Sequence, residues 1–248
     1  AGDYVIIQLG HNDSGPYDTP FGRSCIPGID KETVQVTKRD GSVETVYSYG
    51  DYLRKYISEI RAKGANPILF TLTPRNDYEK DDPKKIQRKL ADFTPAIFAI
   101  GEETGTPVID LNDLSATKLE KYGPWKTDYH FYLDKIHTSA YGAMMNAQSA
   151  AEGILASSDK QIAFLKSCLN DKVHPKRCDQ KRKPGMPVVF LCGDSTGKNE
   201  DKRPDGMWGW GSQGYTVFDS TKCVFQNQAR AGRSARTFVE EGLWDIVY

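Results

Sequence analysis

The chain has 248 residues, enough to bury the core of one α/β domain or of two small ones. Its 33 basic and 33 acidic residues cancel, so no overall charge attracts it to nucleic acid or to an anionic membrane. No stretch reaches the roughly 20 apolar residues of a membrane span, and we expect neither a transmembrane helix nor a signal peptide.

The five cysteines form no CxxC pair, which argues against zinc ribbons and thioredoxin-like sites. Cys168 and Cys178 are close enough in sequence to close a short disulfide loop, and two free thiols are the open alternative. Cys192 lies in an apolar run, where we expect a small buried hydrophobic side chain.

Four short apolar runs, rich in β-branched residues, have the composition of strands buried on both faces of a parallel sheet. In chain order they are residues 3–9, 66–72, 106–111 and 187–192.

Helical patterns occupy segments between and after these runs. Residues 48–65 carry an apolar stripe and end in a glycine. The stripe consists of Tyr52, Leu53, Tyr56, Ile57 and Ile60. The other helical segments are 82–105, with a break or restart at Pro95, 139–157 and 234–248. Strands alternating with such helices predict βαβ units and a doubly wound sheet.

Two segments differ from this alternation. Residues 14–47 are polar, with a hairpin pattern and Asp40-Gly41 at its turn, which indicates an excursion above the sheet. Residues 170–186 are basic, contain two prolines and lack periodicity, which is typical of a linker.

The sequence GDST at 193–196 places Ser195 directly after the last apolar run. The carboxyl end of a parallel strand is where α/β folds bind ligands, so Ser195 is a candidate nucleophile. Asp-Ser is also a good turn and helix-capping pair, and this motif alone leaves both interpretations open.

The sequence GHND at 10–13 also follows a buried apolar run. The Asn12 amide or the neighbouring imidazole is placed to donate a hydrogen bond to a reacting oxygen. An Asx turn that closes the loop is the alternative.

Asp134 and His137 are three residues apart, just before a predicted helix. This spacing lets the carboxylate bond one ring nitrogen while the other nitrogen faces outward, as the base that activates a serine requires. A solvated surface histidine is the alternative. No HxxxH motif or carboxylate cluster supports a metal site.

Gly232 lies in NQARAGRSARTF, just before a helix start. At this position its backbone N–H can donate a hydrogen bond to an anion. The alternative is a glycine that only forms a turn.

Together, GDS, the glycine of an NxAxxGRS segment, GHND and DxxH resemble the four signature blocks of the SGNH (GDSL-type) hydrolases. The resemblance is closer still to their rhamnogalacturonan acetylesterase branch. It is carried by residues 10–16, 47–76, 102–112, 137–147 and 209–213.

This resemblance implies a three-layer α/β/α sandwich with a central parallel sheet, similar to flavodoxin. Ser195 would attack the ester, His137 would act as general base and Asp134 would orient His137. The oxyanion would be held by the N–H groups of Ser195 and Gly232 and by the Asn12 amide. No metal or organic cofactor is implied.

The implied substrate is an O-acetyl ester on a plant cell-wall polysaccharide such as pectin, and the implied location is secreted or periplasmic. Trp208 and Trp210 offer aromatic faces for stacking on sugar rings, with core packing as the open alternative. Two other functions stay open: a lipase or lysophospholipase of the same superfamily, and a carbohydrate-binding relative without turnover.

The order of the blocks departs from that family, in which GDS and the glycine precede GHND and DxxH. We therefore expect a circular permutation within one domain, residues 1–248. Residues 1–169 correspond to the family's C-terminal portion, 170–186 to a linker and 187–248 to its N-terminal portion. Catalytic constellations are defined by geometry, so this order is compatible with activity.

Overall fold

The computed structural model describes residues 2–88, 93–171, 180–181, 183–198 and 200–247. Most of the expected linker and the expected Cys168–Cys178 pair therefore involve residues outside the described part of the chain. Cys168 itself is buried and unpaired.

A five-stranded sheet forms the centre of the fold, with strand order β5-β4-β1-β6-β7 and parallel pairing throughout. A separate antiparallel hairpin joins β2 to β3. The strands are β1 (Tyr4–Gln8), β2 (Thr33–Thr37), β3 (Val43–Tyr47), β4 (Asn66–Phe70), β5 (Val108–Ile109), β6 (Val188–Gly193) and β7 (Val224–Asn227). All four predicted strands are present, as β1, β4, β5 and β6, whereas β7 was not predicted.

The helices are α1 (Tyr49–Ala62), α2 (Phe93–Thr104), α3 (Leu111–Tyr122), α4 (Pro124–Thr127), α5 (Ala140–Ala156), α6 (Ala163–Ser167), α7 (Ser195–Lys198), α8 (Trp210–Val217) and α9 (Ala235–Glu240). Two short 3₁₀ turns occupy Asp128–His130 and Lys160–Ile162. None of the helices in the described ranges is long and apolar enough to cross a membrane.

Helices cover both faces of the sheet because the side chains of each strand alternate between them. In β1, Val5 and Ile7 pack in a core built with α1, α2 and α9. Tyr4 and Ile6 face the opposite core, built with α5, α6 and α8. The expected three-layer α/β/α sandwich is therefore confirmed.

Helix α1 forms as its sequence predicts. Ser48 caps its N-terminus by accepting a hydrogen bond from the Asp51 N–H at 3.1 Å, and all five stripe residues are buried. Gly64, with φ of 72°, follows the helix in the left-handed conformation that favours glycine.

The predicted helix 82–105 is shorter than expected, because residues 82–88 are held against α3 in turns. The Ile86 N–H donates to the Glu120 carboxylate at 2.9 Å, and Arg88 forms ion pairs with Asp113 and Glu120. Pro95 lies in the first turn of α2, where a missing N–H removes no intrahelical hydrogen bond.

The expected hairpin is present. Strands β2 and β3 pair in antiparallel register, and Gly41 at the turn has φ of 82°. The Arg236 side chain of α9 donates to Glu44 of β3, which fixes the hairpin against the main domain.

The order of strands across the sheet bears on the expected permutation. Numbered from β6, in the order β6, β7, β1, β4, β5, the strands lie across the sheet as 2-1-3-4-5. That is the order of a flavodoxin-like sheet. The permutation itself stays a prediction.

We predict that residues 1–171 and 183–248, produced as separate chains, associate into one complex. All five residues of β1 pair with β6, so each fragment alone leaves a central strand edge and an apolar core exposed. Size-exclusion chromatography of the co-expressed fragments measures this. Val189→Asp, which places a charge at a fully buried position, should prevent association, and two stable monomers from the parent fragments would contradict a single domain.

Candidate active site

Polar residues follow β1, β4 and β6 at the point where each strand ends. The ends of parallel strands meet at one edge of a sheet, so these residues come together although they are far apart in the chain. This edge is also where ligands bind in open α/β sheets.

Ser195 follows β6 and is the first residue of α7. The preceding Asp194 is buried and shapes the turn, since its Oδ1 accepts hydrogen bonds from the N–H and the hydroxyl of Thr196, both at 2.8 Å. Ser195 itself is largely buried, with 9% of its surface exposed.

His137 connects Ser195 to Asp134. Its Nε2 lies 2.9 Å from the Ser195 Oγ, and its Nδ1 lies 2.7 Å from Asp134 Oδ2. A carboxylate only accepts, so Nδ1 carries the proton and Nε2 is free to accept the serine hydroxyl. The structure thus brings together the three residues that the motifs singled out.

Asp134 is held by its own loop. Its Oδ1 accepts from the backbone N–H groups of Ile136 at 2.8 Å and His137 at 2.7 Å. Partial burial acts to raise the pKa of Asp134, but the hydrogen bonds from His137 and the two N–H groups outweigh it, so the pKa is lowered overall. Asp134 is therefore a fixed anion beside the His137 ring.

The loops that carry Asn12 and Gly232 are joined by a hydrogen bond. The Asn12 Nδ2 donates to the carbonyl of Arg233, the residue after Gly232, at 3.2 Å. Gly232 has φ of 77°, a conformation that side chains rarely adopt. A second hydrogen bond, from the Arg230 N–H to the Gly193 carbonyl at 2.9 Å, ties this loop to the strand that carries Ser195.

Asp13 anchors the Asn12 loop in the core. Its two carboxyl oxygens accept from the Ala235 N–H at 2.9 and 3.1 Å, at the start of α9, and the Cys25 thiol donates to Oδ1 at 3.2 Å. Burial raises the pKa of Asp13 to about 7, although both hydrogen bonds favour the charged form.

Trp210 does not contact solvent, so the prediction that it stacks on a sugar ring is wrong. It is fully buried and stacks on Phe70, with ring centroids 5.8 Å apart. Its Nε1 donates to Gln8 at 2.9 Å, and Gln8 in turn donates to the Thr196 hydroxyl at 3.2 Å. Trp210 therefore supports the turn after Ser195 from inside the core.

Trp208 is half-buried beside the His137 loop. Its N–H donates to the Thr138 carbonyl at 2.7 Å, and its ring Nε1 donates to the Arg203 carbonyl at 2.8 Å. Thr138 directly follows His137, so the position of Trp208 is compatible with contact to a substrate, and that contact stays a prediction.

Of two further residues at this edge, His11 was considered from the sequence only as an alternative donor to Asn12, and Arg75 was not singled out. His11 lies between Gly10 and Asn12, and its Nε2 is 3.1 Å from the Thr73 hydroxyl. Arg75 lies in the TPRN segment after β4, and its charge contributes to the pKa of His11. A charged residue shortly after a buried strand was the available signal for Arg75.

In the described ranges, no group of three or more His, Cys, Asp or Glu side chains is arranged to hold a metal ion.

Comparison with known proteins identifies similar esterases. No protein-family model matches the chain. A rhamnogalacturonan acetylesterase of Emericella nidulans is 27% identical over 157 residues, which cover 63% of this chain and 62% of that protein. The rhamnogalacturonan acetylesterase RhgT of Bacillus subtilis is 28% identical over 168 residues, covering 62% of this chain and 61% of that protein.

The chain resembles the rhamnogalacturonan acetylesterases. The family resemblance predicted from the four motif blocks is thereby confirmed. The matched part covers less than two thirds of the length of either acetylesterase. The solved structure of the YxiM protein of Bacillus subtilis aligns with a TM-score of 0.46 at 25% identity, covering 61% of this chain and 36% of that one.

We predict that Asp13 makes the protein less stable as the pH rises from about 4 to about 7. Its pKa is raised from 3.8 to about 7 in the folded state, so the folded chain binds a proton that the unfolded chain has lost in this window. Each unit of pKa difference corresponds to about 1.4 kcal/mol of unfolding free energy.

Denaturant unfolding at about pH 4 and about pH 7 measures this dependence. Asp13→Asn cannot ionise, so the variant should lose less stability than the parent over that interval. Asp40→Asn, at an exposed turn, is the matched control and should keep the parent's loss. Equal losses in the parent and Asp13→Asn would contradict the prediction.

Proposed function

We propose that the chain is a serine esterase that removes O-acetyl groups from a plant cell-wall polysaccharide of the rhamnogalacturonan type. The observation that carries the proposal is the hydrogen-bonded series Asp134–His137–Ser195 at the edge of the sheet. Relatives named rhamnogalacturonan acetylesterase support the substrate class.

In the first half of the reaction, the Ser195 Oγ attacks the acetyl carbonyl carbon while His137 Nε2 takes its proton. The resulting imidazolium is stabilised by Asp134, whose lowered pKa keeps it ionised. The tetrahedral intermediate then breaks its bond to the sugar oxygen. His137 returns the proton to that oxygen, which leaves a free sugar hydroxyl and an acetyl-enzyme.

In the second half, water replaces the sugar. His137 takes a proton from the water as its oxygen attacks the acetyl-enzyme, and then protonates Ser195 as acetate leaves. The same base serves both halves, so no further titrating group is required.

The negative charge on the tetrahedral intermediate needs donors that are already in place. The Asn12 amide has a second N–H beyond the one bonded to Arg233, and the N–H groups of Ser195 and Gly232 supply the backbone donors. Asp13 fixes the Asn12 loop to α9, so the amide is positioned before the substrate arrives.

The polar surroundings of the serine favour a sugar ester over a long acyl chain. His11 and Asn12 follow the strand β1 that neighbours the strand carrying Ser195, and the side chains of His137 and Asp134 are 23% and 44% exposed. A lipase-type relative is the second candidate, and a chain-length series of p-nitrophenyl esters distinguishes the two. A secreted or periplasmic location, where such polymers are encountered, is part of the proposal.

We predict that Ser195→Ala lowers kcat for p-nitrophenyl acetate and for acetate release from acetylated pectin by more than about 10³-fold. His137→Ala should act similarly, because the hydroxyl is a poor nucleophile without its base. Ser167→Ala, at an exposed position of α6, is the matched control and should keep the parent's rate. A Ser195→Ala rate within tenfold of the parent would exclude this nucleophile.

A further inference from the structure

Exposed apolar side chains are concentrated in one short segment around the catalytic loop. Among the large apolar side chains that the described residues expose, the four most exposed are Leu133 (89%), Trp125 (82%), Tyr129 (67%) and Tyr141 (66%). All four lie within residues 125–141. Single apolar residues on a surface are ordinary, but a concentration of this kind marks a surface that binds something.

The backbone holds the three aromatic residues of this segment close together, and we call Trp125, Tyr129 and Tyr141 the aromatic platform. Trp125 and Tyr129 are four residues apart in the helical stretch formed by α4 and the following 3₁₀ turn, so they lie on the same side of it. The Tyr129 carbonyl accepts from the Ser139 hydroxyl at 2.7 Å, and the His130 carbonyl accepts from the Ser139 N–H at 3.0 Å. Ser139 caps α5, which places Tyr141 in the first turn of that helix.

The aromatic platform is continuous with the loop that carries Asp134 and His137. The Tyr132 N–H donates to the His137 carbonyl at 2.7 Å, and Phe131 pairs with Thr138 in an isolated β-bridge. These contacts close the loop at its base. The two strands of the base run directly into the two parts of the platform, so the platform has a fixed position relative to the reacting groups.

The rings of the aromatic platform are available to a ligand. Among the described residues, none of the three side chains forms a hydrogen bond or a ring contact with another residue. Each side chain presents an apolar ring with one polar donor at its edge, a hydroxyl on the two tyrosines and an N–H on Trp125. A sugar ring has the complementary surface, since it combines an apolar face of C–H groups with a rim of hydroxyls. A hydrocarbon chain offers no partner to the polar edges.

We propose that the aromatic platform binds the main chain of the polysaccharide whose acetyl ester is hydrolysed at Ser195. This rests on the esterase function proposed above. Sugar residues next to the acetylated one stack on the platform, so parts of the polymer remote from the ester contribute to its binding. A small ester occupies only the space at Ser195. The platform therefore improves the binding of polymers and has no effect on small esters.

The test measures acetate release from acetylated pectin, from acetylated monosaccharides prepared from it, and from p-nitrophenyl acetate. The parent should show a lower KM per acetyl group for pectin than for the monosaccharides. Trp125→Ala and Tyr129→Ala should each raise the KM for pectin about 2–10-fold, the factor that corresponds to the loss of one aromatic contact, and kcat should not change. Both variants should keep the parent's rates on the monosaccharides and on p-nitrophenyl acetate.

Phe98→Ala is the matched control, because it removes an exposed aromatic ring from α2. It should keep the parent's KM on all three substrates. The double variant Trp125→Ala/Tyr129→Ala should unfold at the parent's Tm, since both side chains are exposed. An unchanged KM for pectin in this double variant would overturn the proposal, as would a parent KM that is equal for pectin and the monosaccharides.

Binding without turnover separates the platform from the chemistry. Ser195→Ala should be retarded in native gels that contain acetylated pectin, and adding the double variant should abolish the retardation. If the double variant instead abolishes binding to phosphatidylcholine vesicles, or dissociates a dimer of the parent, the platform has another occupant and the proposal is wrong. Retardation of Ser195→Ala by pectin, combined with no turnover of any ester by the parent, would contradict the esterase function alone.

Discussion

The candidate site depends on one constraint of the parallel sheet: its strands all end at the same edge. Asn12 follows β1, Arg75 follows β4 and Ser195 follows β6, and pairing of β1 with both neighbours brings these residues together. What matters for the chemistry is the position of each strand in the sheet. The order of the motif blocks along the chain is secondary, which is why an unusual order is compatible with an intact constellation.

Buried polar groups fix this edge more tightly than apolar packing alone. Gln8 links Trp210 to Thr196 beneath the serine, and Asp13 links the Asn12 loop to α9. These groups are fully buried and hydrogen-bonded, so a shift of either loop would leave a donor or acceptor without a partner. The Asp13 carboxyl group resists ionisation because it is buried, and its pKa is raised to about 7.

The elements that were predicted correctly from the sequence are those marked by a local pattern of apolar residues. Strong apolar runs predicted four strands of the sheet, and the apolar stripe predicted α1. Strand β7 was missed because it has only four residues, of which the last two are polar and half-buried. Ser195, His137 and Asp134 were recognisable through the resemblance of the four motif blocks to the SGNH hydrolases, since each motif alone left a structural alternative open. Trp210 was misread because stacking on a sugar and on Phe70 calls for the same side chain.

The central claim is that Ser195 is a nucleophile activated by His137, and covalent labelling tests it most directly. The protein is treated with diisopropyl fluorophosphate, and the modified peptide is located by mass spectrometry. The account predicts one phosphoryl group per chain, on Ser195, with labelling slowed strongly in His137→Ala because the hydroxyl then lacks its base. A label on another residue, or an unlabelled Ser195 in a chain that hydrolyses acetyl esters, would contradict it.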